Sequence, residues 1–261
     1  FFSPIWTNVS MQAIVLARRP VREFDEAITL YSYELGKVEA LARSNKKITS
    51  RQSAHVEPGT VIECALIPGR ERLHLAKTQT VWAPLGTRRD LVHIRRLGQA
   101  MALANHVLGE RVPDRHIFSL VKEWLVFLDT AESVPALFVD ALVLRLFSLL
   151  GFTAQINQCV FCGRLLADLM REALAENGQR RVGFSVPAGG LVCSVHLRTE
   201  EQSPWFWLDI ELVYRLIGLY QTDWARMGDW TPEVEESRVL HSIIVSFAQY
   251  HSELGLRDWV A

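Results

Sequence analysis

Hydrophobic and polar residues alternate with a period of two in five short segments of the first third of the chain. Such alternation is typical of β-strands that bury one face. Turns that contain glycine or proline separate the segments, and Gly36 can adopt the positive φ that a tight hairpin needs. The spacing predicts a small closed β-barrel, and an SH3-like barrel fits it nearly as well. The predicted strands are residues 12–17, 27–33, 37–43, 60–66 and 73–82.

Beyond Pro84 the hydrophobic residues recur at helical spacing instead. Residues 134–150 are apolar almost all round the helix, which predicts a central position in a bundle. The sequence therefore predicts an α+β protein with a barrel in residues 1–83 and a mainly helical domain in residues 84–261. The helical domain carries a cysteine-rich insert at 157–198. The predicted helices cover residues 91–108, 117–128, 134–150, 166–176, 205–220 and 233–254.

The insert contains the sharpest chemical signal. Cys159 and Cys162 form a C-x2-C pair, and Cys193 and His196 form a C-x2-H pair that follows after 30 residues. A two-residue spacer lets both side chains of a pair point at one ion. Three thiolates and one imidazole match the tetrahedral preference of zinc and leave no open coordination position. We predict one structural zinc ion bound by Cys159, Cys162, Cys193 and His196.

Two other interpretations of these residues stay open. Cys159 and Cys162 could form a thioredoxin-like redox pair, although such pairs begin a helix after a βα unit, which this region lacks. His196 could be an ordinary surface histidine, with three cysteines as the only ligands. Cys64 stands alone on an alternating strand and is predicted to be a core residue.

The formal net charge of −1 hides an asymmetry between the two parts of the chain. Residues 1–96 contain 15 Lys/Arg and 9 Asp/Glu, a net of +6, and the remaining residues contain 13 and 20, a net of −7. Such asymmetry points to a polyanion-binding portion. We predict that loop tips bring the basic residues to one groove, where Phe24, Tyr31 and Tyr33 offer stacking faces. The predicted DNA-binding residues are Arg18, Arg19, Arg22, Lys37, Arg43, Lys46, Lys47, Arg51, Arg70 and Arg72.

Catalysis, secretion and membrane insertion have little support in the sequence. It contains no phosphate-loop, dinucleotide-binding, H-E-x-x-H or G-x-S-x-G motif, which favours a binding protein over an enzyme. Residues 1–10 have no basic start or long apolar core, unlike a secretory signal. Asp140 and Arg145 interrupt the longest apolar stretch, so a buried helix is favoured over a membrane span. We expect a cytoplasmic protein.

Five segments occur in a fixed order along the chain: D-E-A-I-T-L-Y-S-Y-E-L-G-K-V-E-A-L-A-R at 25–43, H-V-E-P-G at 55–59, L-R-L-F-S-L-L-G-F at 144–152, C-V-F-C-G at 159–163 and A-G-G-L-V-C at 188–193. The cysteine segments are specific in combination, whereas the strand-pair motif at 25–43 is weak by itself. Together with the order of the parts, these segments resemble the RecO family of bacterial recombination mediators. The resemblance covers nearly the whole chain from Met11.

The resemblance implies an OB-fold barrel, a helical domain with a zinc finger, and no enzymatic turnover. RecO-like proteins bind single- and double-stranded DNA, anneal complementary strands, and work with RecR to load RecA onto DNA coated by single-strand-binding protein, whose acidic C-terminal tail they contact. The metal residues carry over to Cys159, Cys162 and Cys193, and His196 stands where the family commonly has cysteine. Association with the nucleoid is also expected. The alternatives are a thiol oxidoreductase that uses Cys159 and Cys162, or a zinc-stabilised adaptor that binds protein.

Overall fold

The structure is a computed structural model that describes residues 9–43, 55–70, 72–177, 181–197, 205–230 and 232–252. The chain forms two compact units, unit 1 from Phe1 to Val134 and unit 2 from Pro135 to Ala261. The barrel ends at Trp82, but the two helices that follow it also belong to unit 1. The domain boundary at residue 83 stays a prediction.

Unit 1 begins with a closed barrel of five strands in the order β1-β2-β3-β5-β4. Neighbouring strands are antiparallel except β3 and β5, which pair in parallel at Ala40 and Leu73. This is the OB-fold arrangement, so the SH3-like alternative is wrong. The predicted strands are confirmed within a few residues. The strands are β1 (Val9–Pro20), β2 (Glu26–Ser32), β3 (Gly36–Ala42), β4 (Val61–Pro68) and β5 (Leu73–Trp82).

Alternate side chains of the strands fill the barrel interior, as the period of two requires. Ile28, Leu30 and Ile62 are fully buried there, and Cys64 is buried beside them, as predicted. Gly36 has a φ of +68° at the start of β3, which confirms the positive φ expected of the hairpin. Burial raises the pKa of Cys64 to about 12, with smaller contributions from Glu34 and Glu63. This thiol therefore behaves as a small apolar core side chain.

Two helices pack on the barrel within unit 1: α1 (Leu91–Val107) and α2 (Arg115–Thr130), preceded by a short 3-10 helix (Gly86–Arg89). Tyr33, directly after β2, makes an edge-to-face contact with Phe118 of α2 at 5.3 Å between ring centroids. Arg111, in the α1–α2 connection, donates its backbone N–H to the carbonyl of Lys37 at 3.0 Å. These contacts fix α2 beside the end of β2.

Unit 2 is built around α3, which packs against α6 and α8 as a bundle, and it also holds a small antiparallel sheet of order β7-β6-β8. The remaining bounds are α3 (Ala136–Leu149), α4 (Leu166–Asn177), β6 (Arg181–Ser185), β7 (Gly190–Val192), α5 (Ser194–Leu197), β8 (Trp205–Asp209), α6 (Ile210–Gln221), α7 (Trp224–Met227) and α8 (Val234–Ser252).

The two ionisable side chains of the central helix α3, Asp140 and Arg145, both have partners inside unit 2. Both carboxylate oxygens of Asp140, which is 1% exposed, lie 3.0 Å from Nδ1 of His241 on α8. Arg145 lies over the Trp224 ring at 3.9 Å and donates to the carbonyls of Leu219 and Thr222. Buried charges are tolerated where partners of this kind surround them. In the described part of the chain, no helix has the length and apolar character needed to cross a membrane.

One helix prediction is wrong at its start. The predicted helix 205–220 begins with a strand, β8, and becomes helical only at Ile210. β8 pairs along its whole length with β6, from Trp205 opposite Ser185 to Asp209 opposite Arg181, so tertiary pairing decides its conformation. The Asp209 carboxylate then accepts the backbone N–H of Leu212 at 2.9 Å and caps α6. The other predicted helices are confirmed apart from their ends, and residues 253–254 lie outside the described ranges.

Candidate metal centre and nucleic-acid surface

The structure brings the four predicted metal ligands together in unit 2. The sulfurs of Cys159, Cys162 and Cys193 and a ring nitrogen of His196 all lie within 4.8 Å of one another. Cys193 Sγ is 3.9 Å from Cys162 Sγ and 3.0 Å from His196 Nδ1, and Cys159 Sγ is 3.9 Å from the same nitrogen. The His196 ring stacks on Phe161 at 5.3 Å between centroids. The cluster is thus a compact group of one nitrogen and three sulfur donors.

Backbone hydrogen bonds hold the two halves of the cluster against each other. Val160 donates its N–H to the carbonyl of Leu191 at 2.9 Å, which joins the first Cys segment to β7. Within the first segment, Gly163 donates its N–H to the carbonyl of Cys159 at 2.9 Å and has a φ of +70°, so glycine permits the tight turn. In the second segment, α5 starts directly after Cys193 and returns His196 to the cluster within one helical turn.

Backbone amides also favour a thiolate in this cluster. Burial raises the pKa of Cys159 and is the largest single effect, but hydrogen bonds from the backbone N–H groups of Cys162, Cys193 and Phe161 and from the Cys162 side chain together outweigh it, so that the pKa falls from 9.0 to about 6. The N–H of Cys193 lies 3.4 Å from the Cys159 sulfur. Burial raises the pKa of Cys193, and the neighbouring Cys159 adds to this increase. Amides directed at sulfur stabilise the ionised form that binds metals.

The donor set fits a tetrahedral metal ion. A metal–sulfur distance of about 2.3 Å places two sulfur ligands about 3.8 Å apart in a tetrahedron, close to the separation of Cys162 and Cys193. Three thiols and an imidazole are the soft and borderline ligands of structural sites. Cys159, Cys162, Cys193 and His196 are therefore positioned to bind a metal ion compatible with zinc.

Several of the predicted DNA-binding residues have hydrogen-bond or ion-pair partners inside unit 1. Arg18 forms an ion pair with Glu57 at 2.7 Å, and Arg19 forms one with Glu39 at 2.8 Å. Lys37 donates from Nζ to the carbonyl of Asn105 at 2.7 Å, and burial lowers its pKa. Carboxylates are thus paired with two of these cations, and a backbone carbonyl with the third. The convergence of the basic residues on one DNA-binding groove stays a prediction.

The remaining basic residues lie at turns or outside the described ranges. The side chains of Arg22, Arg43, Arg70 and Arg72 are exposed at the ends of barrel strands. Lys46, Lys47 and Arg51 fall in 44–54, outside the residues that the structure describes. Their contact with DNA stays a prediction.

The three aromatic candidates for base stacking also separate. Tyr31 is 1% exposed, and its hydroxyl oxygen lies 3.4 Å from the carbonyl oxygen of Asp114, so its ring belongs to the core and its predicted stacking role is wrong. Phe24 is 43% exposed, and Tyr33 is partly exposed beside α2. These two rings remain accessible.

Sequence reasoning missed two grooves. In unit 1, a groove of about 320 Å³ between Tyr33 and α2 is lined by Arg115, Phe118, Ser119 and Lys122 as well. In unit 2, a groove of about 690 Å³ lies along α6 and α7. The spacing of Arg115, Ser119 and Lys122 (i, i+4 and i+7) was the available signal for the first groove. The second groove is lined by Glu211, Tyr214, Arg215, Gly218, Thr222, Arg226, Asp229 and Trp230.

Comparison with known proteins covers both parts of the chain. Residues 7–81 match the family model Recombination protein O N terminal, and residues 97–259 match Recombination protein O C terminal. The DNA repair protein RecO of Frankia casuarinae is 28% identical over 94% of this chain and 94% of its own. The protein of that name in Bifidobacterium adolescentis is 25% identical over 95% and 96%, and that in Geobacter metallireducens is 30% identical over 70% of each chain.

Proposed function

The chain belongs to the RecO family of DNA repair proteins, and on this premise we propose that it is a non-enzymatic recombination mediator that binds single- and double-stranded DNA and anneals complementary strands. The observation that carries the proposal is the closed five-stranded barrel of OB topology within the N-terminal family match. OB barrels bind oligonucleotides on the face of their second and third strands.

Annealing requires that the phosphate repulsion between two strands be reduced while their bases search for register. The exposed Arg22, Arg43, Arg70 and Arg72 would neutralise phosphates at the barrel turns. The ion pairs of Arg18 and Arg19 are exposed and contribute only about 0–1 kcal/mol each, so a phosphate can replace the glutamate. None of these steps requires nucleotide hydrolysis, in keeping with the missing phosphate-loop motif.

The metal is proposed to be one structural zinc ion. Cys159, Cys162, Cys193 and His196 would hold it, and four protein ligands leave no position for a reacting water. When bound, the ion supplies folding free energy rather than Lewis-acid chemistry. The segment with Cys159 and Cys162 and the segment with Cys193 and His196 would then be joined through their shared metal ion.

The protein partners proposed for the chain are RecR, RecA acting indirectly on the loaded DNA, and single-strand-binding protein. The groove along α6 and α7 supports contact with the acidic C-terminal tail of the last of these. Arg215 lies over the Trp230 ring at 5.0 Å, and Arg226 lines the same groove, which also contains Glu211 and Asp229. The two arginines of this groove would pair with the carboxylates of an acidic tail. We further propose that the protein acts in the cytoplasm, at the nucleoid.

The proposed function is tested by annealing of complementary oligonucleotides, measured by fluorescence quenching, with and without single-strand-binding protein. The protein is expected to accelerate annealing in both cases, and non-complementary strands are the control. Reversal of Arg43, Lys46 and Lys47 to glutamate together should weaken DNA binding and flatten its salt dependence. A protein that does not shift DNA at low salt would be an adaptor, and one whose Cys159 and Cys162 alkylate freely without bound zinc would be a thiol oxidoreductase.

A further inference from the structure

The groove between Tyr33 and α2 combines charge and aromatic surface in one place. Among the described residues, its lining consists of Tyr33, Arg115, Phe118, Ser119 and Lys122. This set contains two cations, the hydroxyl groups of Tyr33 and Ser119, two aromatic rings and no carboxylate. Because Arg115, Ser119 and Lys122 are spaced i, i+4 and i+7 on α2, they follow one face of that helix.

Each cation of the groove contacts a neutral group. The Arg115 guanidinium lies over the Tyr33 ring at 5.5 Å from its centroid. Lys122 Nζ lies 3.5 Å from the amide oxygen of Gln12. The neighbouring Asp114 carboxylate caps α2, where it accepts the backbone N–H of His116 at 2.7 Å. Arg18 and Arg19, by contrast, hold glutamates at 2.7 and 2.8 Å.

We propose that this groove binds one nucleotide of single-stranded DNA, with the phosphate between Arg115 and Lys122 and the base against Tyr33. The inference rests on the proposed function and adds a site that the strand residues do not contain. Guanidinium and ammonium groups bind phosphate oxygens, and Ser119 adds a hydroxyl donor. The groove volume of about 320 Å³ lies at the lower end of the range for small-molecule sites, and the volume of one nucleotide is of the same order.

The position of the groove favours DNA over an acidic peptide. Tyr33 follows β2 directly, in the turn to β3, and these are the strands that carry oligonucleotides in OB barrels. The partly exposed Tyr33 ring offers a π-face on which any base can stack, which suits binding without sequence preference, while the buried Phe118 supports this ring from the core. An acidic peptide would also use the cations and the ring, so the choice of DNA rests on the position of the groove beside β2 and β3.

The test measures the binding of a labelled oligothymidylate by fluorescence anisotropy at several salt concentrations. Arg115→Ala and Lys122→Ala are combined in one variant, and the control variant combines Lys77→Ala and Arg88→Ala, which are exposed in unit 1 and do not line the groove. Both variants lose two positive charges. We expect the groove variant to lose about two phosphate contacts, so that the slope of log affinity against log salt falls by about 1.4, while the control keeps its slope. Tyr33→Leu should lower affinity about tenfold at unchanged slope, because one stacked base is lost.

Each other outcome overturns the proposal in a distinguishable way. An equal loss in both double variants would mean that binding reports general charge rather than this groove. If the groove variant keeps its affinity for DNA but no longer binds an acidic peptide, the groove is the site of a protein partner. If the wild-type protein fails to bind the oligonucleotide at low salt, the proposed function fails and the groove fails with it. Circular dichroism melting of each variant verifies that the fold is retained.

Discussion

The barrel of unit 1 has a continuous apolar core, whereas the Cys/His insert of unit 2 combines very short elements with a partly exposed tip. Ile28, Leu30 and Ile62 are fully buried in the barrel, and its five strands form a closed barrel. In the insert, β7 has three residues and α5 has four, and Phe161 is 44% exposed. The insert also buries apolar side chains, among them Leu191 and Val192 of β7, but elements as short as β7 and α5 offset little of their own conformational entropy. We therefore expect the barrel to be stabilised by burial alone, and the segments that carry the ligands to depend in addition on a bound metal.

The largest effect is expected from the removal of one thiol of the insert, which should destabilise the insert and leave the barrel unchanged. Cys162→Ser should abolish stoichiometric zinc binding and remove most of a metal contribution of about 10–16 kcal/mol from the insert. The insert should then unfold locally while the barrel keeps its structure. Metal content by elemental analysis and hydrogen exchange resolved along the chain measure the two effects.

The matched control for this change is Cys64→Ser, which removes a thiol from the barrel core instead. It should keep one zinc ion per chain and destabilise only unit 1, by about 1–3 kcal/mol, because it buries a hydroxyl. Two results for Cys162→Ser would contradict this comparison: an unchanged affinity for zinc, or faster amide hydrogen exchange in the barrel than in the insert. Either would mean that the metal ligands do not stabilise the insert separately from the barrel.

The same division explains which parts of the molecule the sequence predicts. Metal coordination requires fixed ligand types at fixed spacing, so Cys159, Cys162, Cys193 and His196 could be identified residue by residue, and the structure brings all four together. The strands were equally predictable, since burial of one face imposes a period of two.

Charges on a surface have no such spacing, and their partners are set by tertiary structure. Glu39 is 20 residues from Arg19, and nothing in the sequence indicates that β3 carries it to that arginine. Arg115 and Lys122 were missed because α2 is recognised by its apolar positions. Similarly, residues 205–209 form a strand only because β6 lies beside them. The sequence therefore predicts ligand sets and buried periodicities, but it does not reveal which cations remain available to DNA.

A smaller effect on stability is expected from a substitution at the start of β3 in the barrel. Gly36 has a φ of +68°, and a Cβ at this position would lie 2.5 Å from backbone atoms of Val112. Gly36→Ala should therefore cost about 1–3 kcal/mol for left-handed backbone, with the overlap adding to this cost, and leave zinc binding unchanged. Thermal unfolding and metal content measure the two quantities.

The matched control is Gly98→Ala in α1, where a Cβ meets no atom within 4 Å. Alanine is the better helix former, so this variant should gain about 0.5–1 kcal/mol. Equal stability of the two variants would show that the barrel tolerates displacement of the α1–α2 connection.

The smallest expected effect compares one buried phenol in each unit. Burial raises the pKa of Tyr31 in unit 1 and of Tyr220 in unit 2 to about 12. Because these values exceed the pKa of about 10 in an unfolded chain, the neutral phenols contribute stability that is fully present below pH 10 and is lost as pH rises toward 12. Near neutral pH, Tyr31→Phe should change stability by less than about 1 kcal/mol, since its hydroxyl lies 3.4 and 3.5 Å from the nearest carbonyl oxygens. At alkaline pH, Tyr31→Phe should delay unfolding of the barrel, and Tyr220→Phe should delay unfolding of unit 2. Phenolate absorbance gives the titration, and hydrogen exchange assigns the protected unit. If either variant protects both units equally, the two regions unfold as one, and the separation of their stabilising forces does not extend to high pH.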